Sequence, residues 1–329
     1  MAGRLALAVE SVTGATFVGR AWHRFFFRGF SEDSLRLARI DLGIALLVFH
    51  THQFGGLLLL DPGGAAFHFL DPMWHFRLLG IQRHLPLLSF TVYAVLMVAT
   101  VLMIRGRWTR LAIVVVMLSI FYLKGVRDSF TGDVHHRYLI PMHILLLFLL
   151  SRCGDARRRD ASRAAAGPAL HEWEASWPIK AMQVYVASFY VWSALAKLRV
   201  SGWAWFSGEG QIQEFLVRRS LRWGMTEGGE LIRNNLGFTL AQYPDLLRVI
   251  GLLVLTAELI FPVVLFIESA RSRALFLGAL ATFHVATFVL LDVNFLLIPF
   301  VYLVFFDLAS VHGWVRSRLA RWRNRLAAR

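Results

Sequence analysis

The chain contains little cysteine and few charged residues, and both features limit the classes of protein to which it can belong. Cys153 is the one cysteine among 329 residues, so neither an intrachain disulfide nor a site with several thiolate ligands can form. Only 17% of the residues are charged, whereas 57% are hydrophobic, which is too apolar for a soluble globular domain of this length. Segments of alternating apolar and polar residues, which would indicate a membrane β-barrel, are also lacking. The composition therefore predicts an integral membrane protein built from helices.

Several catalytic and binding motifs are missing as well. The sequence has no HExxH or CxxC motif, no Gly-rich phosphate loop ahead of a helix and no nucleophile elbow, so it does not support soluble-enzyme chemistry or a metal site. The net charge of +14 is compatible with nucleic acid binding. However, the basic residues form short clusters between and after apolar runs, which is the pattern of membrane topology. We therefore expect no metal and no nucleic acid partner.

Apolar runs long enough to cross a bilayer as helices are the main feature that the sequence does have. We predict an all-α fold, a polytopic transmembrane helical bundle of about eight spans. The predicted spans lie at about 37–56, 86–104, 109–125, 138–151, 178–197, 246–267, 274–291 and 294–309. The segment 198–245, between spans five and six, is too mixed for a span and too apolar for a free loop. We expect short interfacial or re-entrant helices there.

The distribution of arginine predicts the orientation in the membrane. Arg-rich clusters at 105–110, 152–163 and 268–273, and the basic tail 310–329, all fall on one side if the spans follow a cytoplasmic N-terminus. By the positive-inside rule, that side is the cytoplasm. We therefore predict a multi-pass protein of the cell membrane with both termini cytoplasmic. The segments on the opposite side are then 57–85, 126–137 and 198–245.

The N-terminal segment 1–35 is a poor candidate for a cleavable signal, because Glu10 interrupts a short apolar run and no clean hydrophobic region follows. It combines aromatic and basic residues, namely Phe25, Phe26 and Phe27 with Arg20, Arg24 and Arg28. This combination predicts an amphipathic helix that lies at the membrane interface.

Ionisable residues in or beside apolar spans are the first candidates for function, because charge in the hydrocarbon core is costly unless it is paired or hydrated. They are Arg39, Asp41, His50, His52, His135, His136, His143, Lys197, Glu258 and His284. For Arg39, Asp41 and Glu258, a structural ion pair or interhelical hydrogen bond is an alternative to a functional role. His136 and His143 share a helix face but lie about 10 Å apart along the axis, too far to ligate one metal together. Either a hydrogen-bonding or proton-relay role or a plain interfacial pair fits them.

Lys197 ends the fifth predicted span in a stretch that also contains Trp192, Trp203 and Trp205. A lysine at the noncytoplasmic end of a span can extend to water at little cost. Alternatively, burial against these tryptophans would disfavour the ammonium form and leave an amine that can accept a proton. Since no acidic residue is close in sequence, we expect the amine to be neutral for much of the time, unless Glu209 or Glu258 approaches it in the fold. Such an aromatic-lined cavity suits a lipid-soluble substrate.

Four motifs occur in a particular order: SFTGDVHHRYLIPMHILLLFLLS, SWPIKAMQVYVASFYVWSALAKLRVSGW, LTAELIFPVVLFIESARSR and LGALATFHVATFVLLDVNFLLIPFVYLVFF. Together they resemble the HTTM domain of the vitamin K-dependent gamma-carboxylase family, from about Arg36 to Asp307. The resemblance implies an HTTM-like transmembrane domain over 36–309, between the interfacial segment 1–35 and a basic cytoplasmic tail over 310–329. It also implies reduced vitamin K, a menaquinol-type quinone, as the cofactor.

The resemblance assigns roles to individual residues. Ala196-Lys197-Leu198-Arg199 stands where the family has a Lys-Lys-Leu-Asp-like segment, so Lys197 inherits the role of the base, although Ala196 and Arg199 depart from the pattern. The run 135–139 (HHRYL) is similar to an Asn-His-Ser-Tyr-Leu-like motif, which maps the orienting histidine onto His136. The implied catalytic residues are Lys197 and His136. The implied substrate or quinone pocket contains Trp192, Trp203, His284, Glu258 and Tyr138.

The function that the resemblance implies is a membrane-embedded, gamma-carboxylase-like enzyme. Its lysine base would act on a reduced quinone, and the enzyme would modify a glutamate or small peptide at the noncytoplasmic face. Expected partners are membrane lipid or quinone and a secreted peptide or protein substrate. The alternative is a nonenzymatic or accessory membrane protein for the maturation of a secreted peptide, similar to the membrane component that matures sporulation-delaying toxins. A small-solute transporter is disfavoured, because repeated halves with broken helices are lacking.

Overall fold

The computed structural model describes residues 17–27, 29–58, 68–69, 71–131, 138–153, 171–207, 210–221, 235–291 and 295–327. Helices dominate these residues. In chain order, α1 to α6 are Phe17–Phe27, Glu32–Leu58, Trp74–Leu78, Pro86–Arg105, Thr109–Thr131 and Leu139–Leu150. Helices α7 to α13 are Glu172–Ser201, Gln211–Leu221, Asn235–Leu240, Pro244–Ile260, Ala270–Leu291, Leu297–Val301 and Leu308–Ala327. Short 3₁₀ segments follow three of them, at Gly202–Phe206, Phe261–Phe266 and Tyr302–Phe305.

The predicted all-α class is confirmed for the described residues, in which the only β feature is an isolated bridge between His68 and Arg83. Four helical stretches are long and apolar enough to cross a membrane: Pro86–Arg105, Thr109–Phe130, Pro244–Phe266 and Ala270–Leu290. The interrupted pair Leu297–Phe305 and Leu308–Asn324 supplies up to a fifth. Helices also cover the predicted first, fourth and fifth spans. However, α2 and α7 carry several charged residues, and α6 has only 12 residues.

The chain divides into two compact units, residues 1–182 with 303–329 and residues 183–302. In the first unit, α4 packs against α2 and α5, and α6 packs against α5. Pro86 begins α4 at a position where its missing N–H costs nothing. Gly106 ends it with a φ of 70°, in the left-handed region that glycine tolerates.

Arg39 has a structural role in the first unit. Its buried guanidinium donates to the carbonyl of Cys153 over 2.7 Å. A Cβ on Gly106 would lie 2.9 Å from Arg39 Nη2, so the glycine also makes room for this side chain. Arg39 therefore ties α2 to the ends of α4 and α6, which fits the structural alternative for this residue.

A short segment before α4 docks on the end of α5. The backbone N–H groups of Asp71 and Met73 donate to the carbonyl and the hydroxyl of Ser129, over 3.0 and 2.9 Å. His75 is buried beside Phe121, with ring centroids 4.3 Å apart. His84 is fully buried, and its Nε2 lies 2.9 Å from the hydroxyl of Ser89.

The second unit contains the C-terminal part of α7, the 3₁₀ segment Gly202–Phe206 and helices α8 to α12. Leu216, Ala241 and Leu247 form a small core between α8, α9 and α10. Short helices therefore do occupy the predicted segment 198–245; their interfacial or re-entrant position stays a prediction. Gly251 brings α10 close to the 3₁₀ segment, since a Cβ there would lie 2.9 Å from the carbonyl oxygen of Trp205.

Candidate functional site

Lys197 and Glu258 form an ion pair in the second unit. Lys197, near the end of α7, donates from Nζ to both carboxylate oxygens of Glu258 on α10, over 2.6 and 2.8 Å. Ser193, one turn earlier on the same face of α7, accepts from Lys197 Nζ over 2.7 Å and donates to Glu258 Oε1 over 3.1 Å. The Glu258 side chain is 6% exposed and that of Lys197 is 21% exposed. We call these three residues the ion-pair cluster.

The ion-pair cluster supplies the condition under which we expected Lys197 not to be neutral, namely the approach of Glu258. The expectation of a neutral amine assumed that no acidic partner lies near the lysine, and Glu258 occupies that position from 61 residues further along the chain. A carboxylate at this distance favours the ammonium form directly, whereas burial of both groups favours an arrangement with no net charge. The pair meets both conditions, because its total charge is zero.

The aromatic surroundings of Lys197 differ from the prediction. Trp192 and Trp203 are 67% and 84% exposed, so neither ring covers the ammonium. The reason for Trp192 is its position on α7, one residue before Ser193 and therefore about 100° around the helix from it. Trp205 provides the aromatic contact instead, with Lys197 Nζ 5.3 Å from its ring centroid. This distance is within the range of a cation–π interaction.

A second group of polar side chains lies two turns earlier on α7. The hydroxyl of Tyr190 is hydrogen-bonded to His284 Nε2 on α11 and to the hydroxyl of Tyr302. His284 Nε2 also lies 3.1 Å from the Tyr302 hydroxyl. Phe261 stacks on the Tyr190 ring at 4.1 Å between centroids. We call Tyr190, His284 and Tyr302 the hydroxyl–imidazole cluster.

The two clusters share one face of α7. Tyr190, Ser193 and Lys197 are spaced three and seven positions apart, so their side chains point the same way. Lys197 is also close enough to His284 for its charge to act on the imidazole. Two buried nitrogens, Trp205 Nε1 and His284 Nδ1, have no hydrogen-bond partner among the described residues. Buried polar atoms without a partner are rare in proteins, so these two nitrogens can bind a polar group that comes within hydrogen-bond distance.

The remaining predicted site residues lie elsewhere or outside the described part of the chain. His136 and its neighbour His135 lie outside the described residues. Tyr138 belongs to the first unit, where its ring is buried against Phe49 and Phe54. His143 is exposed, and its Nδ1 contacts the carbonyl of Leu139 on its own helix over 2.7 Å.

Metal binding has no candidate set among the residues that the structure describes, since no group of three or more His, Cys, Asp or Glu side chains comes together there. The absence of a metal nevertheless stays a prediction. Three residues of the clusters were not predicted: Tyr190, Ser193 and Tyr302. The spacing of Tyr190 and Ser193 relative to Lys197 is a signal that could have identified the first two.

No protein-family model, curated protein or solved structure matches this chain. The resemblance to the vitamin K-dependent gamma-carboxylase family therefore depends on the four sequence motifs alone. The geometry of the two clusters is independent of that resemblance.

Proposed function

We propose that this protein is a membrane enzyme of the HTTM, gamma-carboxylase-like class, and that Lys197 is its base. The observation that carries the proposal is the buried ion pair between Lys197 and Glu258. Ionisable side chains are costly at membrane depth, and where they occur they mark substrate or proton pathways by default. The pair lies on α7 and α10, and α10 belongs to a helical stretch that is long and apolar enough to span.

The proposed arrangement has about eight spans, the N- and C-termini in the cytoplasm and a location in the cell membrane. In support, a helical stretch covers each of the first seven predicted spans in the described residues, and the eighth contains short helical segments with a bend of 98°. Helices α2, α6 and α7 would complete the set. Lys197 would then lie near the noncytoplasmic end of α7, and the substrate would enter from that side.

The ion-pair cluster can hold a proton at either of two atoms. Transfer from Lys197 Nζ to Glu258 Oε1, across 2.6 Å, converts the ion pair into a neutral amine and a neutral acid. The net charge of the cluster is zero in both forms, so burial does not forbid the change. The neutral amine can then accept a proton from a bound hydroxyl, and Ser193 keeps the carboxyl group in place. Glu258 is thus proposed as the proton acceptor that prepares Lys197.

A reduced quinone fits the residues present, and when bound it would supply an acidic hydroxyl and reducing equivalents. Trp205 offers a flat aromatic surface beside Lys197, and Trp205 Nε1 and His284 Nδ1 offer polar atoms without a hydrogen-bond partner among the described residues. A flat ring with oxygen atoms at opposite ends suits this combination. The modified substrate, a glutamate or small peptide, is part of the same proposal.

The test is to measure what the purified protein binds and turns over. Wild-type protein, Lys197→Met and the control Lys180→Met would be extracted in mild detergent and analysed for copurifying quinones by mass spectrometry. Lys180 lies on the same helix but contacts Phe25 and Phe30. We expect quinone in all three proteins, and oxidation of added naphthoquinol by dissolved oxygen, above the uncatalysed rate, in the wild type and Lys180→Met only. Phospholipid as the only bound lipid, or full turnover by Lys197→Met, would contradict the proposal and favour an accessory protein.

A further inference from the structure

The C-terminal helix α13 begins in contact with α2 and then extends away from it. Leu308 is buried, and His312 Nε2 lies 3.8 Å from the carboxylate of Asp41 on α2. From Gly313 to Asn324, every side chain is exposed. A Cβ added at Gly313 would meet nothing within 4 Å. The helix therefore runs several turns beyond the residues that anchor it.

The exposed part of α13 is amphipathic. Val311, Val315, Leu319 and Trp322 follow one another at spacings of three and four residues, and Trp314 lies beside them, so they form one apolar stripe. Each of these side chains is at least 41% exposed, and both tryptophans are about 60% exposed. A helical stretch of this length is marginal in water on its own. The stripe therefore requires an apolar environment.

The charge on α13 is of one sign. Four exposed arginines accompany the stripe, at positions 316, 318, 321 and 323, and no acidic residue follows Asp307. Arg318 lies over the ring of Trp314, with its Cζ 5.2 Å from the ring centroid. Tryptophan and arginine together are typical of helices that lie in the interface of a bilayer. Positive charge without compensation indicates an anionic partner surface.

We propose that α13 lies in the plane of the membrane interface and binds anionic phospholipid headgroups of the leaflet next to it. The apolar stripe would enter the boundary between headgroups and acyl chains, and the four arginines would contact the phosphates. A transmembrane position is disfavoured, because arginine is among the most costly residues at the centre of a span. A nucleic acid partner is disfavoured as well, since it would leave the apolar stripe exposed. This proposal is independent of the proposed enzymatic activity.

The test uses the whole protein in lipid nanodiscs. On a Cys153→Ser background, a fluorescent thiol probe is attached at Leu319→Cys in the stripe or at Asn324→Cys on the opposite face. Quenching by nitroxide-labelled lipids reports depth, and quenching by iodide reports access to water. In discs with phosphatidylglycerol, we expect shallow lipid quenching at position 319 and iodide quenching at position 324. In purely zwitterionic discs, or at high salt, lipid quenching at position 319 should weaken.

Replacing arginines on α13 gives this test a quantitative prediction. Each basic residue near an anionic surface strengthens association by about fivefold. Replacing Arg318 and Arg321 by Gln should therefore weaken the anionic-lipid-dependent association by roughly 25-fold, and replacing Ser317 and Ala320 by Gln should not. Quenching that is equal in anionic and zwitterionic discs would overturn the proposal. Deep quenching at position 319, or a response only to added RNA, would also overturn it, in favour of a span or a nucleic acid site.

Discussion

Glu258 Oε1 accepts hydrogen bonds from both Lys197 and Ser193, over 2.6 and 3.1 Å. One carboxylate oxygen thus holds together two residues that lie one turn apart on α7. The carboxylate is more deeply buried than the ammonium. Removing the carboxylate and removing the ammonium should therefore change the stability of the protein by different amounts. This relationship gives the first two predictions.

Replacing Glu258 by Leu should destabilise the protein, because it leaves the Lys197 ammonium without its partner. Removing one member of a buried ion pair costs about 3–5 kcal/mol, and the partial exposure of Lys197 places this case at or below the lower end. Adding Lys197→Met to the same chain should restore most of the lost stability, since no unpaired charge remains. Thermal unfolding in detergent measures all three proteins. A double variant that is less stable than Glu258→Leu would contradict the prediction.

Ser193→Ala should weaken the same cluster by a smaller amount. The change removes one hydroxyl that donates to Glu258 and accepts from Lys197, and the loss of a hydrogen bond to a charged group costs about 1.5–3 kcal/mol. The matched control is Ser188→Ala on the same helix, where the hydroxyl donates only to the carbonyl of Val184, over 2.8 Å, among its described contacts. Equal unfolding midpoints for the two variants would show that the Ser193 hydroxyl does not support the ion pair.

Loss of the Tyr190 hydroxyl alone should destabilise the hydroxyl–imidazole cluster. Tyr190→Phe keeps the ring that stacks on Phe261 but removes the hydroxyl that contacts His284 and Tyr302. We expect a loss of about 1–3 kcal/mol, because buried polar atoms lose a partner. Tyr243→Phe, at a residue that is 56% exposed, is the control. Unfolding midpoints in detergent would decide, and a Tyr190→Phe midpoint equal to that of the control would contradict the role of the hydroxyl.

The helices of this fold could be predicted from sequence, whereas the partners of the site residues could not. Apolar runs define helices directly, so a helical stretch covers each of the first seven predicted spans in the described residues, whereas the eighth is interrupted by a bend of 98°. Lys197 and Glu258 were each identified from their position in an apolar run. Their pairing depends on the packing of α10 against the 3₁₀ segment after α7, and no local pattern encodes it. Of the three tryptophans expected beside Lys197, Trp205 contacts it and Trp203 does not, because the 3₁₀ turn decides which ring faces the lysine.

Labelling of introduced cysteines tests the proposed topology. With Cys153 replaced by Ser, a cysteine at Ser207 should react with an impermeant thiol reagent added outside the cell. A cysteine at Ser317 should react only after the membrane is permeabilised. These outcomes follow if the Arg-rich segments are cytoplasmic. Labelling at position 317 from outside intact cells would contradict the proposed number of spans. Failure to label position 207 under any of these conditions would also contradict it.

Acid should destabilise the first unit through His75 and His84. Burial lowers the pKa of both histidines; for His75 the nearby Lys124 lowers the pKa further, and Asp128 opposes this effect. An unfolded histidine titrates near pH 6.5. As the pH falls below about 6.5, the unfolded chain therefore binds protons before the folded chain does. The stability that was present above this pH is lost as the pH falls toward the lowered pKa of the two folded-state histidines.

The measurement is the thermal unfolding midpoint between pH 7.5 and pH 5. We expect it to fall in the wild type as the pH is lowered. The double variant His75→Phe, His84→Asn should show a smaller pH dependence, because neither replacement binds a proton in this range. His143→Gln, at an exposed histidine on α6, is the control and should keep the wild-type dependence. A double variant with an unchanged slope would show that these two imidazoles do not set the acid sensitivity.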